Sequence, residues 1–237
     1  MFTNEGPTLR ELTVQALSSV EHGYDLLAPK FDATPFRTPE RILDVVVRTL
    51  RPLGPFSAGL DVCCGTGAGT RALGEICRDR AVGVDFSAGM LDVARGAHEK
   101  AHWVRADARA LPFAPVFDLA VSFGAFGHFL PEERPGLFAQ VHAVLRPGGV
   151  FAFPVGAPPR LGSWPYWAML GFDVAMRVRN TFWRPPFVMY YRTFPLTEVY
   201  PELERAGFTV ELLPLTELGR RRDGSPRAAL LVARKAA

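Results

Sequence analysis

The sequence predicts an α/β protein built on a Rossmann-like, doubly wound sheet of about seven strands, mostly parallel with an antiparallel last strand. Three observations lead there. From Ala58 onward short apolar runs alternate with stretches of helical periodicity, the first run passes through a glycine-rich turn into a helix, and the second and third runs are closed by aspartates. Parallel strands need crossover connections, so strands and helices alternate along the chain and the helices cover both faces.

The chain has 237 residues, 48% hydrophobic and 22% charged, which suits one α/β domain with an added cap and a large interior. We expect an N-terminal helical lid over residues 1–52 and a main domain over 53–237, with 155–193 as a cap insertion. In the first segment apolar residues recur at helical spacing from Thr8 to Leu27, and Ala28-Pro29 ends the pattern. Thr38 can cap a second helix that has Pro39 in its first turn and runs to about Leu50.

The main domain then reads as strand 59–63, helix 69–77, strand 81–85, helix 87–98, and strands 102–106 and 117–123. Helix 131–145 and strand 150–154 follow. The stretch 155–193 breaks this rhythm, because it gathers three of the four tryptophans with Tyr166, Tyr190, Tyr191 and several prolines. After it come helix 196–206, with Gly207 as its cap, and strands 208–213 and 228–235.

The net charge is +3, and the run Arg220-Arg221-Arg222 reads as a solvated loop. No broad basic face with aromatic residues set among the charges points to a nucleic-acid partner. The three cysteines, Cys63, Cys64 and Cys77, are an odd number with two adjacent, which fits a reducing compartment. With no signal-peptide pattern and no apolar run of about 18 residues, the expectation is a cytoplasmic protein without a transmembrane segment.

The chemistry is concentrated in Leu60-Asp61-Val62-Cys63-Cys64-Gly65-Thr66-Gly67-Ala68-Gly69-Thr70, an apolar strand running into a glycine-rich turn. Glycine there lets the backbone approach a ligand closely. Asp85 closes the second strand 18 positions after Gly67, where a carboxylate can accept both hydroxyls of a ribose. Asp107 follows the third strand in the same way. Three strand ends thus aim polar groups at one crevice, the place where open α/β sheets bind ligands.

In these residues the chain resembles the class I S-adenosylmethionine-dependent methyltransferases, most of all the group with the ubiquinone and menaquinone C-methyltransferases. The resemblance runs through Leu60 to Thr70, Val82 to Leu91, Ala106-Asp107-Ala108 with Leu111-Pro112-Phe113, and Leu145-Arg146-Pro147-Gly148-Gly149. It implies S-adenosyl-L-methionine as cofactor, with Asp61, Cys63, Gly65 and Gly67 around the methionine portion and Asp85 on the ribose. It further places Phe86 and Met90 beside the adenine, Asp107 and Ala108 at its edge, and Ser122 and Phe123 near the amine and sulfonium. Cys63 departs from the family, which usually has Gly there.

Methyl transfer mainly requires alignment, which can supply about 7–11 kcal/mol of barrier reduction, whereas a general base adds a factor of about 10²–10⁴. His128, just past the fourth strand, is the candidate base. Tyr24, Trp164, Trp167, Tyr190, Tyr191 and Arg192 are candidates for contact with a small, apolar or aromatic acceptor. The aromatic insertion is expected to fold over the crevice as a lid with the segment Tyr24 to Phe36; the same residues could instead build a homodimer contact or core, and Arg177 and Arg179 flank it as a peripheral membrane contact would need. No clustered His or carboxylate spacing suggests a metal.

Two other readings share the turn and the ribose carboxylate. A nicotinamide-dependent oxidoreductase would want glycine where Thr70 stands and a Tyr-x-x-x-Lys pair that is missing. A non-catalytic S-adenosylmethionine-binding protein would use the insertion for protein contact.

Overall fold

The computed structural model describes residues 6–190 and 194–237. Its strands are β1 (Phe56–Val62), β2 (Cys77–Asp85), β3 (His102–Arg105), β4 (Phe117–Val121), β5 (Leu145–Gly156), β6 (Phe208–Pro214) and β7 (Ala228–Lys235). They form one sheet in the order β3-β2-β1-β4-β5-β7-β6. The first five are mutually parallel, and β7 runs antiparallel to both β5 and β6. A dinucleotide-binding Rossmann sheet has the order 3-2-1-4-5-6; here an antiparallel strand is inserted between the fifth and sixth.

The inner strands read as continuous apolar runs because both of their faces are covered. Leu60, Leu119, Phe151 and Leu231 are fully buried. On one face α6 (Arg134–Val144) and α8 (Leu196–Arg205) contribute Phe138, Val141, Val199 and Leu203 to the core. On the other, α3 (Glu40–Leu50) and α4 (Ala68–Leu73) contribute Val46, Leu50 and Leu73. Arg134, itself buried, ties α6 to α8 through Glu198 and Glu202, each at 2.8 Å.

Several boundaries differ from the sequence reading, each for a local reason. The expected single N-terminal helix is two, α1 (Leu9–Leu17) and α2 (Val20–Leu27). Ser19 accepts the amide of His22 as an N-cap, and the Ser18 hydroxyl turns back to the carbonyl of Val14, so the serines break the helix. Helix α4 stops at Leu73, and Cys77 already pairs with Phe56 as the start of β2. The aromatic stretch contains a 19-residue helix, α7 (Trp164–Phe182), whose N-cap Ser163 accepts the Tyr166 amide.

The N-terminal segment lies across the strand tips of β1 and β2. Asp25 of α2 accepts from the Ser87 hydroxyl at 2.6 Å and the Gly89 amide at 2.9 Å, at the start of α5 (Ala88–Ala97). The Thr66 hydroxyl donates to Asp32 at 2.6 Å, so the following turn is latched to the glycine-rich loop.

Candidate active site

The turn after β1 is built on left-handed backbone: φ is 59° at Cys63, 53° at Gly65 and 91° at Gly67. A non-glycine residue in that region is uncommon and costs roughly 1–2 kcal/mol. Cys63 holds this backbone without being glycine. The Gly65 amide donates to Asp85 Oδ2 at 2.9 Å, and the Ser87 amide donates to Asp85 Oδ1 at 2.9 Å. Burial raises the Asp85 carboxyl above its usual range, against the pull of those amides.

Asp61 is the second buried carboxylate at the tip of β1. Its Oδ2 accepts the Thr70 hydroxyl at 2.9 Å, while its Oδ1 is buried without a hydrogen-bond partner among the described residues. Burial pushes its pKa up to about 7. Thr70 therefore does what a third glycine cannot, and it packs beside Gly83, where an added Cβ would stand 2.7 Å from its hydroxyl. Gly69 is constrained in the same way, since a Cβ would meet Phe123 at 2.5 Å and Asp61 Oδ2 at 2.6 Å.

These strand tips open into a cavity of about 1220 Å³. Single-ligand pockets usually span about 300–1,000 Å³, so there is room for a nucleoside-sized group and a second molecule. Asp61, Cys63, Gly65, Asp85, Phe86, Met90, Asp107, Ala108 and Phe123 all line it. Asp107 does so with its carboxylate held by Arg109, whose Nη2 donates at 2.6 Å and whose Nη1 reaches Glu133. That hydrogen bonding keeps the Asp107 carboxyl below its usual range.

Gly67 and Ser122 are not among the lining residues. Gly67 is the N-cap of α4, and an added Cβ would lie 2.5 Å from Trp103. The Ser122 hydroxyl donates to the Val62 carbonyl at 2.8 Å and ties the end of β4 to β1. Both residues hold the loop and strand ends in place behind the cavity wall.

His128 and Tyr24 line the cavity and touch each other. His128 Nδ1 is 2.7 Å from the Val188 carbonyl, which can only accept, so Nδ1 carries the proton. Nε2 then accepts from the Tyr24 hydroxyl at 2.7 Å. Burial lowers the pKa of His128 and favours the neutral ring. Nothing in the sequence marks this pairing, because the partners are 104 positions apart.

The cap reaches the cavity through Pro186, Val188 and Met189. Tyr190 is buried in the cap, where its hydroxyl accepts from Asn180 and the Arg177 guanidinium stacks on its ring. Trp164 is 81% exposed and Trp167 56%, and neither lines the cavity. Of the expected acceptor contacts, these three stand outside the cavity lining: helical spacing turns both tryptophans outward, and Tyr190 packs against Asn180 and Arg177. Tyr191 and Arg192 lie outside the described residues.

A family model described as a methyltransferase domain matches residues 60–149. An uncharacterised methyltransferase of Synechocystis is 30% identical over 159 residues, 67% of this chain and 69% of that protein. The 2-phytyl-1,4-naphthoquinone methyltransferase of Thermosynechococcus vestitus is 35% identical over 98 residues, 39% of this chain and 43% of that protein. Among solved structures, a putative O-methyltransferase of Nostoc punctiforme superposes with a TM-score of 0.68 at 16% identity, covering 99% of this chain and 69% of that one.

Proposed function

This chain belongs to the class I S-adenosylmethionine-dependent methyltransferases, and on that basis we propose that it methylates a small apolar or aromatic molecule held in the same cavity as the cofactor. The observation that carries the reading is the buried, unpartnered Oδ1 of Asp61 at a cavity wall. A carboxylate so placed suits the cationic amine of the methionine portion, while Asp85 suits the ribose hydroxyls. Phe86 and Met90 supply apolar walls for the adenine, and Asp107 and Ala108 form its edge.

When bound, S-adenosylmethionine supplies a methyl group on a sulfonium that is already a good leaving group. The chain's task is to align, to exclude water and to receive a proton. Phe31, Phe36, Phe129, Leu130 and Met189 line the cavity and favour an acceptor with an apolar ring or tail. The naphthoquinone substrate in the name of the Thermosynechococcus relative supports that chemistry. Tyr24 and His128 serve an acceptor whose hydroxyl or activated carbon must be deprotonated: its proton passes to the Tyr24 oxygen as the Tyr24 proton moves to His128 Nε2.

Incubation with methyl-labelled S-adenosylmethionine and reduced naphthoquinones tests the proposal. Label in an apolar product supports it. Tight cofactor binding without transfer to these or to an extract of small metabolites contradicts it and favours a non-catalytic binder.

A further inference from the structure

Helix α7 carries an apolar stripe on its outer face. Trp164, Trp167, Val174, Val178 and Phe182 recur at spacings of three, four or their sum, which places them on one side of the helix. All are exposed, Trp164 to 81% and Phe182 to 83%, and Leu161 before the helix and Trp183 after it extend the patch. The opposite side buries Met176, which packs with Phe187 and Tyr190. Contiguous apolar surface of this kind is rare on monomeric soluble proteins and marks a contact surface.

Within the segment that carries the stripe, the exposed charges are of one sign. Between residues 158 and 190 the only acidic residue is Asp173, which is buried, whereas Arg177 and Arg184 are exposed. A second copy of the same face would set arginines against arginines, with no exposed acidic residue of the segment itself to pair them. Tryptophan and phenylalanine beside arginine suit the interface of an anionic bilayer, where rings sit at headgroup depth and guanidinium groups meet lipid phosphate. No helix among the described residues is long and apolar enough to cross a membrane, so α7 would lie along the surface.

We propose that the outer face of α7 docks the protein on an anionic phospholipid surface. The chain leaving α7 turns directly into Pro186, Val188 and Met189 of the cavity wall. That wall packs on the side of α7 away from the stripe, so docking leaves the helix between lipid and cavity.

The test needs no catalysis. The full chain is sedimented with vesicles of phosphatidylcholine alone or mixed with phosphatidylglycerol, and its cofactor affinity is measured alongside as a check on folding. Strong partition to the mixed vesicles, weakened at least tenfold by Trp164→Ser with Phe182→Ser at unchanged cofactor affinity, supports the proposal. Arg184→Gln should weaken partition to mixed vesicles about fivefold and leave partition to phosphatidylcholine unchanged. Partition that ignores the Trp164→Ser, Phe182→Ser pair, or no partition at all, overturns it. So does a dimer in solution that this pair of substitutions converts to monomer without any vesicle binding.

Discussion

Asp61 holds its proton at a pH where most carboxyls have lost theirs. Its folded pKa, pushed up to about 7 chiefly by burial, lies above the unfolded value of about 3.9. The stability linked to that proton is therefore full below about pH 4 and is lost as pH rises through about 7. Without ligand, the protein should lose stability over that window relative to Asp61→Asn, which thermal melting in a pH series reads. A cationic amine reverses the preference, so S-adenosylmethionine affinity should rise with pH up to about 7 in the parent and stay flat in Asp61→Asn. Tyr24→Phe and His128→Ala should each lower turnover about 10²–10⁴-fold with cofactor affinity unchanged, and should flatten the same limb of the pH–rate profile. Equal turnover in either variant would remove the pair from the chemistry.

At the scale of elements, what the sequence revealed was what is local. The strand, the glycine turn and the helix of residues 60–73 are contiguous, so the residue types at Gly65 and Asp85 report the backbone and the strand tip directly. Gly67 was legible as a special position, but its packing was not: only the fold brings Trp103 against it. Replacing it by alanine should destabilise the protein by about 1–3 kcal/mol through positive φ and overpacking, seen as a lower denaturant midpoint; an unchanged midpoint would contradict that packing. Contacts between distant segments left no trace in the sequence. The Asp25 latch on α5, the Asp32 latch on the loop and the Tyr24–His128 pair all depend on how the N-terminal helices lie across the sheet. The aromatic composition of 155–193 was plain, yet composition carries no direction, and Trp164 and Trp167 face solvent.

For the whole molecule, strand order separates two readings that the glycine turn leaves together. The antiparallel β7 between β5 and β6 departs from the dinucleotide-binding order, and Thr70, where a third glycine would stand, is committed to Asp61. The same sheet gathers Asp61, Asp85 and Asp107 at one cavity. Calorimetric titration of the protein with S-adenosylmethionine, with reduced nicotinamide adenine dinucleotide as the competitor, tests that assignment most directly. One molecule of S-adenosylmethionine should bind per chain, about ten- to a hundredfold more weakly in Asp85→Ala, with no heat from the nicotinamide nucleotide. Preference for the nicotinamide nucleotide, or S-adenosylmethionine binding indifferent to Asp85→Ala, would contradict it.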